Sequence, residues 1–221
     1  MTRPSVRDPA RRPWPARLGG ALLASGLGAV AKATRRRPIH ARGRTWRATL
    51  CVDAPVEHLG VPLFADRGVH PCTARLSRAV GTPPGWWDVG GLALRLPGAG
   101  SRGADADLLF ATTGTGRVSR HLLRPVRETA GRPLTTLLPT RAGGRSFVLL
   151  ARPLGEQFEI GIGIEGGAWH AVGLLRLDDE VADRALRFDP VVRPLAGTHA
   201  PGWVAAVREP AYRWARRLGR P

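Results

Sequence analysis

Seven short aliphatic segments, each bounded by Gly or Pro, recur between residues 45 and 177, and they narrow the available folds more than any other feature. They run over 45–52, 73–80, 89–96, 107–112, 146–151, 157–164 and 168–177. Short segments separated by turn formers predict strands paired into an antiparallel sheet or barrel. Within 157–164, Ile160, Ile162 and Ile164 alternate, the period of a strand with one buried face. The tail differs, because Trp203, Val204, Val207, Ala211, Trp214, Ala215 and Leu218 fall at helical spacing and predict an amphipathic helix over 201–218. Residues 18–31, rich in Ala and Leu, predict a short helix with Leu18, Leu22, Ala29 and Ala33 near one face. The predicted fold is therefore α+β: a basic, partly helical N-terminal arm over 1–36, then one barrel domain over 37–221 closed by the C-terminal helix. A length of 221 residues suits one domain, and no run approaches the roughly 20 apolar residues of a membrane-spanning helix.

The net charge of +17 invites a nucleic-acid reading. Its placement argues against one. Residues 1–50 hold twelve basic side chains and one acid, and 207–221 hold five arginines and one acid, which leaves the barrel region close to balance. A nucleic-acid-reading domain carries its arginines on the folded face, interleaved with aromatic residues. Residues 18–31 also resemble a secretory leader, but the surrounding arginines make a poor one, so a cytoplasmic location is expected, with Arg11-Arg12 leaving an export route open.

Several motifs fail on context. Gly161-Ile-Gly163-Ile-Glu-Gly166 matches GxGxxG, yet the alternating isoleucines predict a strand, with no helix opening after it to hold a pyrophosphate. Gly114-Thr115-Gly116-Arg117 could cradle phosphate, but a hairpin turn accounts for it more simply. Cys51 and Cys72 lack zinc spacing and read as ordinary thiols. Asp105 with Asp107, and Asp178 with Asp179, stand away from any histidine motif that a metal-dependent phosphoesterase would need. His58, His70, His121, His170 and His199 are isolated and read as surface or structural histidines.

His40 has informative neighbours. Arg37-Pro-Ile-His40-Ala-Arg42-Gly43 resembles the distal-histidine segment of the haem catalases, R-x-x-H-A-(R/K)-G. Arg75-Leu-Ser77 resembles their R-F-S, and Asp88-Val-Gly-Gly91-Leu-Ala93-Leu-Arg95-Leu is similar to their D-x-R-G-F-A-x-K-F. Arg208-Glu-Pro-Ala-Tyr212, followed by Arg216 and Arg217, resembles the proximal R-x-x-x-Y helix with its downstream arginine. Four segments in the family's order bracket residues 37–217. Short catalase-related proteins of this kind, from high-GC actinobacteria, often carry a phosphodiesterase label.

The resemblance implies a catalase-like barrel carrying haem b, with the iron held by Tyr212, the chain's sole tyrosine. A phenol ionises near pH 10 in water, and Arg208, one helical turn before Tyr212, would favour the phenolate. Arg37 and Arg75 match propionate-binding positions, and Arg217 the downstream arginine of the cofactor site. His40 would move a proton between the two peroxide oxygens while Ser77 accepts a hydrogen bond from its ring. Thr112 and Thr113 stand where catalases place an asparagine over the haem, which makes Thr113 the candidate for positioning peroxide.

The chain departs from the pattern in lacking any asparagine and in having Gly90 where the family has an arginine. It is also far shorter than a full catalase. High-turnover catalase activity is therefore not expected. The resemblance implies a haem-dependent peroxidase or catalase-like oxidoreductase acting on hydrogen peroxide or an organic hydroperoxide, including rearrangement of the kind found in catalase-related allene oxide synthases. Two alternatives stay open: a catalase-fold module without haem that binds a small molecule or an acidic partner, and a phosphodiesterase. Oligomeric state is open too, homo-oligomer included.

Overall fold

The computed structural model describes residues 43–79, 81–83, 85–182 and 186–204. Nine strands appear there: β1 (Gly43–Val52), β2 (Gly68–Arg78), β3 (Gly90–Leu96), β4 (Ala106–Thr112), β5 (Leu134–Thr135), β6 (Thr140–Ala142), β7 (Arg145–Leu154), β8 (Gln157–Ile164) and β9 (Trp169–Val181). They pair antiparallel in the order β5-β4-β3-β2-β1-β9-β8-β7-β6, and a further pairing of β5 with β7 closes eight of them into a barrel, with β6 flanking β7. Closure removes the exposed edges that an open antiparallel sheet would carry.

Alternation sorts the side chains. Leu50, Leu92, Leu94, Leu149, Ile160 and Ile162 point inward and are almost fully buried. Leu59, Val61 and Phe64, from two 3-10 turns in the β1–β2 connection, join the same core. The isoleucine alternation of β8 thus reads directly as an inward stripe, and Gly161 and Gly163 lie on the outer side of that strand. In β9 the register skips Val172, and Gly173 sits against the Cys51 carbonyl so closely that no Cβ could be accommodated.

All seven predicted segments are strands; 157–164 has the predicted limits and the others are shifted. β2 begins at Gly68, earlier than predicted, and includes Pro71. Proline is tolerated there because β3 pairs with β2 only from Thr73 onward, so this stretch has a strand on one side alone. β9 runs on through Asp178, Asp179 and Glu180 because β1 supplies partners: Thr49 to Asp178 (2.7 Å), Arg47 to Asp179 (3.0 Å) and Arg44 to Glu180. Segment 114–117 is not a tight hairpin turn. It opens a longer loop between the bridged residues Thr113 and Leu123, folded over a 3-10 turn (Ser119–His121). Residues 202–204 are helical and the buried Val204 packs on Leu137 and Leu138. The N-terminal arm and the remainder of the predicted C-terminal helix lie outside the described residues. Among the described residues no helix is long and apolar enough to cross a membrane.

Candidate functional site

The outer face of β1 to β5 gathers the described candidate residues. Directly paired residues on antiparallel strands project to the same side. One outward row therefore runs Gly43, Ser77, Gly91, Ala111, Thr135, and the next Thr45, Arg75, Ala93, Leu109. Strand neighbours are about 4.8 Å apart, so these rows form a low wall built mostly of Gly, Ala, Ser and Thr. Arg75 is 7% exposed and its guanidinium lies over Gly43, where a Cβ would come within 2.6 Å of Cζ. A glycine at 43 is what lets that cation lie against the sheet.

Thr113 stands beyond the end of β4, 1% exposed. Its hydroxyl lies 3.0 Å from the Thr135 hydroxyl and 3.0 Å from the Gly114 carbonyl. Thr135 in turn donates to the Arg120 carbonyl (2.7 Å) and accepts from the Leu137 N–H (3.2 Å). The hydroxyl proton of Thr113 is thus committed within a buried chain. Thr112 is held as well, accepting from the Gly90 N–H (3.2 Å) and donating to the Arg124 carbonyl (2.9 Å). The two threonines brace the end of β4, a role that Thr113 was not expected to have.

Asp88 and Gly90, in the segment similar to D-x-R-G, have structural roles. The Asp88 carboxylate is fully buried and accepts from the N–H groups of Val89 (2.7 Å) and Thr82 (3.0 Å) and from Arg78 Nε (3.3 Å). A Cβ on Gly90, which lies on the opposite side of β3 from the wall residues Gly91 and Ala93, would meet Thr129 Cγ2 at 2.6 Å, so there is no room at that position for the family's arginine. His121 donates from Nδ1 to the Leu137 carbonyl (2.7 Å), a structural histidine as expected. Cys51 and Cys72 are free thiols. The Asp178 and Asp179 carboxylates face β1 cations and hydroxyls, and among the described residues no three His, Cys, Asp or Glu side chains converge. Arg37, His40, Arg208, Tyr212 and Arg217 lie outside the described residues, so of the eight candidates Arg75 and Ser77 share one wall and Thr113 stands at its end.

Sequence reasoning missed Arg120, Trp169 and Thr135. Arg120 and Trp169 are brought together by contacts between residues 54 and 47 positions apart, Trp169 Nε1 with Thr115 and Arg120 Nη2 with Gly167, and no local motif announces them.

The closed eight-stranded antiparallel barrel is a catalase-like fold. A bacterial catalase matches the chain with a TM-score of 0.61 at 13% identity, over 86% of this chain and 59% of the catalase. A fungal catalase matches with a TM-score of 0.61 at 11% identity, over 88% and 62% respectively. The chain spans about three fifths of the length of these catalases. No protein-family description matches the sequence, and no curated protein does.

Haem is flat, largely apolar and carries two carboxylates, so a wall that fits it is low and edged by a cation. The outer face of β1 to β4 meets both conditions: Gly43, Gly91, Ala93 and Ala111 keep it low, and Arg75 is drawn in beside them.

Proposed function

We propose that the chain is a haem-dependent catalase-like oxidoreductase that acts on hydrogen peroxide or an organic hydroperoxide. The observation that carries this reading is the low outer wall of a catalase-like barrel with Arg75 and Ser77 on it. Bound haem supplies a ferric iron at which a peroxide O–O bond can break. Arg75, with Arg37, would hold the propionates, a charge-assisted contact that suits a guanidinium, and Arg217 would be the downstream arginine of the cofactor site. Tyr212 would be the iron ligand, and Arg208 would keep its phenol ionised. His40 would carry a proton from one peroxide oxygen to the other, with the Ser77 hydroxyl fixing its tautomer. Because the Thr113 hydroxyl is engaged with Thr135 and Gly114, positioning of peroxide would fall to His40 and the wall, which favours peroxidase or rearrangement chemistry over rapid dismutation.

The test is reconstitution of the purified chain with haem. A Soret band with a tyrosinate-type spectrum, lost in Tyr212→Phe, is the expected result. Failure to take up haem sinks the reading.

A further inference from the structure

A second cluster lies on the outside of the barrel, where the loop 114–122 meets the β8–β9 turn. Arg120 is only 3% exposed. Its Nε donates to the Gly116 carbonyl (3.2 Å) and its Nη2 to that of Gly167 (3.0 Å). The guanidinium rests 4.1 Å from the centroid of the Trp169 ring, and Trp169 Nε1 is anchored on the Thr115 carbonyl (2.8 Å). Gly163 makes this packing possible, since a Cβ there would strike Arg120 Nη1. Among the described residues that Nη1 is buried without an acceptor, and no carboxylate forms an ion pair with the guanidinium.

An arginine cannot discharge by losing its proton, so a buried cation with an unmade hydrogen bond calls for a counter-charge. Burial first, and then the charge of Arg117, pull the Arg120 pKa below its ordinary value. Both arginines line an open groove of about 570 Å³, together with Gly116, Ile164, Gly166 and Gly167. Glu165 shares the rim and forms an ion pair with neither. The groove is therefore net positive.

We propose that this groove binds a phosphate group, free or esterified, between Arg117 and Arg120. A phosphate offers several acceptor oxygens and up to two negative charges, which answers the uncompensated charge of Arg120 and relieves the repulsion between the two guanidinium groups. Ala168, exposed on the same rim, gives the organic part of an ester a small apolar surface. The site is independent of haem, and the outcome of either experiment leaves the other standing.

Titration calorimetry on the full chain, with inorganic phosphate, phenyl phosphate, acetate and chloride at matched ionic strength, tests it. Saturable binding of a phosphate, with acetate and chloride silent, is the expected result, weakened roughly tenfold or more in Arg117→Gln and lost in Arg120→Met. Tighter binding of phenyl phosphate identifies an ester as the occupant, and equal or weaker binding identifies the free ion. Phosphate heats indistinguishable from those of chloride overturn the proposal, as does affinity unchanged in Arg117→Gln. Arg117 is exposed, so that variant carries the test even if Arg120→Met fails to fold.

Discussion

Arg95 and Arg120 are both drawn against the outside of the same barrel, and they are compensated in opposite ways. Arg95 lies on β3 directly opposite Asp107 on β4, and the two form a bidentate pair, Nε to Oδ1 at 2.8 Å and Nη2 to Oδ2 at 2.9 Å. The Asp107 carboxylate, fully buried, also accepts from the Asp189 N–H at 2.8 Å and approaches Arg193 Nη1 at 3.7 Å. That hydrogen bond to Asp107 is the main reason the Arg95 guanidinium holds its proton more tightly than usual. Arg120 has two carbonyls and an indole face instead. Where the charge is structural, strand register delivers its counter-ion from the next strand. Where two loops meet, the described residues supply dipoles but no carboxylate paired with the guanidinium, and the charge is left for something else to neutralise.

The contrast is broken most directly at Asp107. Asp107→Ala leaves Arg95 without its buried counter-charge and the Asp189 N–H without an acceptor, so it costs about 3–5 kcal/mol, read from urea denaturation. A loss under about 1 kcal/mol would show that the pair behaves as a surface bridge and that burial is not what distinguishes it.

Arg120→Met probes the other side. The variant forfeits two hydrogen bonds and a cation–π contact but also removes an uncompensated buried cation and keeps an unbranched stem against Trp169, so stability changes by no more than about 1 kcal/mol. Denaturation under the same conditions gives the comparison. A loss as large as that of Asp107→Ala would make Arg120 a structural staple of the 114–122 loop.

The strands were legible because a one-faced strand writes its period into the sequence: Ile160, Ile162 and Ile164 are inward as read, and β8 has the predicted limits. β5 and β6 were not, since two or three residues carry no period. The acidic end of β9 was hidden as well, because Asp178 to Glu180 look like loop residues until β1 places Thr49, Arg47 and Arg44 across from them. Of the candidate site, the resemblance named Arg75 and Ser77, which the fold places on one wall, two residues apart on a single strand. The engagement of the Thr113 hydroxyl could not be read from its sequence neighbours, because it depends on Thr135, twenty-two residues away. Arg120 was invisible for the same reason, its partners Gly116 and Gly167 lying on different loops.

Cys72 extends the comparison to a group that can discharge. Inside the barrel, 7% exposed, its thiol is pushed up to about 12, by burial first and then by the charge of Asp178. Unlike Arg120 it answers the absence of a counter-charge by staying neutral. The folded pKa exceeds the reference value of 9.0, so the stability tied to the protonated thiol is complete below about pH 9 and drains away as the pH rises toward about 12. Cys72→Ala should remove that alkaline component and leave the neutral-pH stability little changed. At pH 8 a thiol reagent should reach the half-buried Cys51 first and modify Cys72 only on unfolding, as peptide mass spectrometry of native and denatured samples would show. Equal labelling of the two in the native protein would mean that β1 and β2 part locally far more readily than a closed barrel allows.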